Sequence, residues 1–274
     1  MDYEVTIKPR KGIAIIDFKE LWNYRELLYF LSWRDIKLRY KQTAIGIGWA
    51  VLQPFCMMVV FSVVFGGLVN LPSDNIPYPI FAYAGLLFWN MFSNSLSNTS
   101  QSLISSSNII QKVYLPRIIL PTASVLVALA DFFFAFLVFV GILIYYRFTP
   151  DLLGFFMIIP LLCITMVTSL GLGLFLAALN VKYRDVRYAL PFFIQLLIFI
   201  TPVIYPISMV PKKYAWLLAL NPMTGVIEAF KSAFLGTAAI NWDILLISTV
   251  ASLVFLAFGI WYFLKTEKTF ADII

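Results

Sequence analysis

Residues 42–73 contain no Lys, Arg, Asp or Glu, and after Asp74 a second uncharged run covers residues 75–111. A hydrocarbon core about 30 Å thick is crossed by roughly 20 apolar helical residues, so each run can hold a complete span. The pattern continues through residues 152–181, 188–211 and 244–264, and across residues 118–146 only Asp131 interrupts it. Charged residues make up 12% of the chain, against about 25% in ordinary soluble domains. Strands of a membrane barrel are about 10 residues long and alternate in polarity, unlike these continuous runs. The fold class is therefore an all-α polytopic membrane protein. Its function has to be sought where the apolar pattern breaks.

Six spans are read at 47–69, 79–101, 117–146, 152–180, 188–207 and 243–264, which places both termini on one side. With that side in the cytoplasm, the inner segments hold 16 Lys and Arg. The outer ones hold 4: Arg147, Lys212, Lys213 and Lys231. Basic residues collect in cytoplasmic loops, so the net charge of +6 reports topology and not nucleic-acid binding. The chain divides into a cytoplasmic N-terminal segment (1–41), a membrane domain (42–264) and a cytoplasmic tail (265–274). The polar first 41 residues lack the short apolar core and small-residue cleavage site of a signal peptide.

Three breaks stand out. On a helical wheel over residues 18–41, Phe18, Trp22, Tyr29, Trp33, Ile36 and Tyr40 share one sector and basic residues the next. This is the pattern of an amphipathic helix in the headgroup layer, with Gly46 and Gly48 turning the chain into the membrane. Span 2 ends in a run of Ser, Asn, Thr and Gln from Ser93 to Ser102, too polar for lipid. It calls for a helix facing protein or water, or one continuing into the cytosol. After it, Ser106 or Ser107 can cap a short helix within residues 105–115, closed by Pro116. The third break, residues 201–241, is cut by Pro202, Pro206, Pro211 and Pro222 into apolar pieces at 214–220 and 223–235. These are too short to span, and they read as re-entrant elements. Thr224 is the expected cap of the second piece, with Glu228 and Lys231 one turn apart on it. Asp131, the one ionisable residue deep in a span, is either a structural ion-pair partner or a transport group.

Much chemistry is excluded. The chain has no His and two Cys, so a zinc site is ruled out. Cys56 and Cys163 are expected as buried thiols. No phosphate-binding G-x-x-x-x-G-K-[ST] loop is present, so any uphill transport must draw energy from a partner. The 26 Phe, 14 Tyr and 7 Trp supply packing and interfacial belts, and aromatic faces also suit sugar rings.

The breaks carry a recognisable pattern. WRDIKLRYKQTAIGIGWAVLQP at 33–54, AGLLFWNMFSNSL at 84–96 and NIIQKVYLPRIILP at 108–121 resemble the ABC-2 polysaccharide export permeases. ALNVKYRDVRYALPFFIQ at 178–195, TPVIYPISMVP at 201–211 and LNPMTGVIEAFKSAFLG at 220–236 do so as well. The resemblance implies a bacterial inner-membrane homodimer with two ATP-binding subunits, which would carry the ATP and Mg while this chain holds no cofactor. The dimer would export a lipid-linked polysaccharide, O-antigen first, with teichoic acid or capsule as the alternative. The resemblance also implies an ATPase interface of Trp33, Arg34, Lys37, Arg39, Gln111, Lys112, Arg117, Arg184 and Asp185. It implies a channel lined by Trp49, Phe55, Phe192, Phe199 and Tyr205. An outer gate would include Pro206, Asn221, Pro222, Glu228 and Lys231. A drug-type exporter of the same superfamily and a membrane enzyme acting on lipid-linked sugars are the competing classes. The R-D-x-K-x-R-Y and L-N-P-M-T motifs oppose the first, and the scattered carboxylates oppose the second.

Overall fold

The computed structural model describes residues 18–41 and 48–270; Gly46 lies outside the described residues. Everything regular in it is helical. The order is α1 (Phe18–Asn23), α2 (Arg25–Lys41), α3 (Gly48–Phe61), α4 (Tyr78–Ser105), α5 (Ser107–Ile110), α6 (Ile119–Tyr145) and α7 (Leu152–Lys182). Then come α8 (Val186–Ile200), α9 (Lys212–Ala219), α10 (Pro222–Leu235) and α11 (Trp242–Thr266). The end of α3 widens into a π-helical stretch, Ser62–Leu68, where the Val69 amide reaches back to the Val64 carbonyl at 2.9 Å.

The helix ends follow local chemistry. Asp151 caps α7 by accepting from the Leu153 amide, and Asn241 caps α11 by accepting from Ile244. Side-chain acceptors satisfy amides that a first turn leaves open. α10 begins with Pro222 behind an Asn221 cap and ends at Gly236, whose φ of +66° is the left-handed closure glycine permits. Asn221, not the expected Thr224, is the cap, accepting from the Met223 amide at 3.1 Å. Thr224 falls inside the first turn with its hydroxyl buried.

Among the described residues, four helices are long and apolar enough to cross a bilayer: Gly48–Leu68, Ile119–Tyr145, Leu152–Lys182 and Trp242–Thr266. Two of the six expected spans differ. α4 has 28 residues, about 42 Å of helix, but its C-terminal half is too polar for lipid. It is the central element, packed by α3, α6, α7 and α10, with Ser95, Thr99, Ser100 and Ser102 buried among them. α8 has 15 residues, about 22 Å, and unwinds at Thr201 instead of continuing to residue 207. α7 and α11 cross at Gly171 and Gly259, where an added Cβ would run into the opposite backbone. Beside that crossing the Thr168 and Ser252 hydroxyls bond at 2.8 Å. Small residues and hydroxyl pairs are how helices associate without a hydrophobic drive in lipid.

Two further expectations are corrected. Residues 18–41 form two helices with a break at Tyr24. The aromatic sector points away from the bundle, with Trp22, Tyr29 and Trp33 exposed. Leu21, Tyr24, Leu27, Leu28 and the buried Leu31 join a cluster with Leu103, Leu115, Ile119, Leu120 and Phe263. The segment therefore has two apolar faces, one docked and one outward. Cys56 and Cys163 are free and exposed. In a lipid-solvated bundle an apolar thiol gains nothing by turning inward, so outward placement costs little.

Candidate functional site

The first region is the end of the bundle that gathers α2, α5, the α7–α8 turn and the C-terminal residues. Arg39 leaves the end of α2 and pairs with Asp131 of α6, about 18 Å along that helix from Ile119. The pairing reading of Asp131 is thus the one the structure supports. Beside the pair, a polar cavity of about 250 Å³ is lined by Asp35, Arg39, Asn98, Gln101, Ser105 and Ser124. The polar end of α4 divides between this cavity, through Asn98, Gln101 and Ser105, and the neighbouring helices, where Ser95, Thr99, Ser100 and Ser102 are buried.

Arg34 bonds its neighbour Asp35 at 2.7 Å, with both half exposed. Lys37 stands 5.3 Å over the exposed Trp33 ring. The expected short helix is a single turn, Ser107–Ile110, followed by exposed Gln111 and Lys112; Ser106 sits at its cap position without a side-chain cap bond. Arg117 is turned toward the C-terminal residues. Its guanidinium donates to the Glu267 carbonyl and lies 5.8 Å over the Phe270 ring. Arg184 and Asp185 are exposed at the start of α8. A cavity of about 470 Å³ joins Arg184, Arg187 and Tyr188 to Ser107 and to Asn180, whose amide donates to the Ser100 carbonyl at 3.0 Å. Segments far apart in sequence thus meet at one end of the bundle, over the apolar cluster that includes Leu31, Leu115, Val181 and Phe270.

The expected channel residues do not form a group within one chain. Trp49 and Phe55 are exposed on α3, and Phe192 and Phe199 on α8. α3 packs on α4 and α6, whereas α8 packs on α4 and α7, so the two sets stand on separate flanks of α4. α8 shows an exposed stripe of Tyr188, Phe192, Leu196 and Phe199, and only Leu190 and Ile198 of its residues are buried. Tyr205 follows the helix and donates to the Ile200 carbonyl at 2.7 Å.

At the opposite end, the proline-cut segment is a buried core. α10 is buried on nearly every side, and Glu228 is its one half-buried residue. Pro206 and Pro222 are buried as well. Asn221 donates to the Thr201 hydroxyl at 2.8 Å while capping α10. Lys231, 1% exposed, donates to the Pro202 and Val203 carbonyls at 2.8 and 3.0 Å. α9 instead turns Tyr214, Trp216 and Leu217 outward.

Residues 26–235 match the family of ABC-2 type transporters. The chain belongs to that family. An ABC-2 protein is a transmembrane transporter component, which agrees with the apolar helices and with the missing phosphate-binding loop. Among its relatives is an O-antigen export system permease protein RfbA of Klebsiella pneumoniae, 28% identical over 250 residues, which cover 91% of this chain and 95% of the relative. One from Myxococcus xanthus with the same description is 32% identical over 220 residues, 79% of this chain and 83% of the relative. The polysialic acid transport protein KpsM of Escherichia coli is 24% identical over 208 residues, 73% of this chain and 78% of the relative.

Sequence reasoning missed several residues that organise this ABC-2 chain. Tyr78 donates to the Ile204 carbonyl at 2.7 Å, and Asn180 and Thr201 tie helices together. The signal for Asn180 was present: an Asn between apolar residues in a span needs a partner. Nothing in the sequence marks the Pro202 and Val203 carbonyls as the acceptors of Lys231.

Proposed function

We propose that this chain is the membrane subunit of an ATP-driven exporter for a lipid-linked polysaccharide, with O-antigen the first choice and a capsular or teichoic-acid polymer the alternative. The observation that carries the reading is similarity over most of the chain to permeases named for O-antigen and polysialic acid. It is joined by an arrangement of apolar faces that one chain leaves unfinished. Because α3 and α8 stand on separate flanks of α4, a channel lined by both forms where α3 of one copy meets α8 of another. The proposed assembly is a homodimer with two ATP-binding subunits, and those subunits would hold the ATP and Mg. In this reading α4 and α8, with its unwound extension, complete six spans in a bacterial inner membrane. The segments at 1–41 and 265–274 then face the cytoplasm, and α9 and α10 form the outer re-entrant pair. The surface of Trp33, Arg34, Lys37, Gln111, Lys112, Arg184 and Asp185 would receive the motor, with Arg39 and Arg117 fixing α2 and the C-terminal residues behind it.

Deleting the gene tests this. Lipid-linked polymer should accumulate on the cytoplasmic side and return to the surface when the gene is restored. Normal surface polymer in the deletion strain would remove the proposal, and the composition of trapped polymer separates O-antigen from capsule.

A further inference from the structure

Lys231 is sealed inside the end of the bundle opposite α2, three residues along α10 from Glu228. Its Nζ donates to the Pro202 and Val203 carbonyls and stands 3.5 Å from the centre of the Phe81 ring on α4. Those carbonyls belong to the stretch where α8 unwinds. Thr201 is already extended, and no helical turn resumes until Ile207. Unwound backbone at membrane depth persists only where protein satisfies it, and Lys231 is the donor here. The same stretch is held three more times. Tyr78 of α4 binds the Ile204 carbonyl, and Asn221 binds the Thr201 hydroxyl. Gly85 of α4 has no Cβ where one would stand 3.0 Å from the Val203 carbonyl oxygen. Thr201 and Val203 are fully buried in consequence. The body of α8 is the reverse, with one face exposed along its length and little packing within the chain.

We propose that residues 201–205 are the fixed pivot of α8 and that Lys231 is the positioning residue that pins it. The inference rests on the permease reading and sharpens it. α8 swings about its outer end, while α10 and the unwound stretch stay with α4 as one body. Asn221 and Lys231 are then parts of an anchor and not of a moving gate. Breaking the Lys231 contacts would leave a buried amine and two buried carbonyls without partners, so motion at the α8 body is favoured over motion at the anchor.

Pulsed EPR on the full chain, assembled with its ATP-binding partner in proteoliposomes, tests the pivot. The background is Cys56→Ser with Cys163→Ser, and labelled chain is diluted with unlabelled chain. One pair of labels, at Met209 and Ala238, spans the anchor; a second pair, at Phe193 and Ala238, reports the α8 body. Between the nucleotide-free and ATP-trapped states the Phe193–Ala238 distance should shift by several ångströms while Met209–Ala238 stays fixed. Lys231→Met should broaden the Met209–Ala238 distribution, and Lys231→Arg, which keeps a donor, should narrow it again. A nucleotide-dependent shift of Met209–Ala238 in the parent chain overturns the pivot, as does an unchanged distribution in Lys231→Met. If Lys231→Met does not assemble, the parent chain's two distances decide alone. Neither distance depends on the cargo, so an error in the polysaccharide assignment leaves the result readable.

Discussion

Removing Arg39 should be far more damaging than removing the residue it pairs with. Asp131 has a side chain 10% exposed, whereas that of Arg39 is 36% exposed. Arg39→Ala takes the pairing cation from a carboxylate that stays enclosed between α2 and α6. Breaking a buried pair in this way costs about 3–5 kcal/mol. Asp131→Ala leaves a guanidinium at the end of α2 that can turn toward water on its apolar stem, so the loss is that of a partly exposed pair, about 1 kcal/mol or less. The readout is the docking of α2. Ser32 is 6% exposed on the face of α2 turned to the bundle, so a Ser32→Cys reporter in the Cys56→Ser, Cys163→Ser background is protected from maleimide while α2 is docked. A loss of 3 kcal/mol shifts the docked-to-undocked ratio by a factor of about 100, and labelling should accelerate accordingly in Arg39→Ala but only slightly in Asp131→Ala. Equal rates in the two variants, or faster labelling in Asp131→Ala, would refute the argument from burial.

Asn221→Ala removes both the α10 cap and the bond to Thr201; about 1 kcal/mol from the cap alone should lower the thermal midpoint of the purified chain, and an unchanged midpoint counts against the cap. Thr168→Val with Ser252→Ala removes the hydroxyl pair between α7 and α11, and a double-mutant cycle on unfolding should return a coupling of about 0.6 kcal/mol, the average for such contacts. Gly259→Leu forces a side chain into the Gly171 backbone, and assembled protein recovered at normal yield would contradict that crossing. Lys112→Glu should reduce ATP-coupled transport while assembly with the ATPase persists. Arg117→Glu should instead free residues 267–270, seen as faster proteolysis at the C-terminus.

The class of fold was legible because uncharged runs of bilayer length have few other uses. The end of α10 at Gly236 was legible because glycine closure is local chemistry, whereas its start was shifted from Asn221 to Thr224 because both residue types can cap. The polar end of α4 left several environments open, because composition fixes how much polarity must be satisfied and not by which neighbours. On the wheel Leu21, Leu27, Leu28 and Leu31 widen the apolar side of the N-terminal segment without marking it as the docked face. A wheel groups aromatics together, whereas the surface of α6 selected the leucines. Between α8 and α10 the prolines marked irregular backbone. That Lys231 would meet two of its carbonyls depends on α10 folding back against α4, which no local pattern encodes.

The placement of α4 bears on how the chain is made. A helix with buried Ser95, Thr99, Ser100 and Ser102 partitions poorly into lipid by itself, and its shelter comes from helices synthesised later, α6, α7 and α10. The nascent chain therefore reaches a stage at which α4 has left the ribosome without the neighbours it needs. Either the insertion machinery retains α4 until α7 emerges, or α4 enters late. Biogenesis of this permease is then paced by its most central helix, and chains truncated before α7 should fail to hold α4 in the membrane.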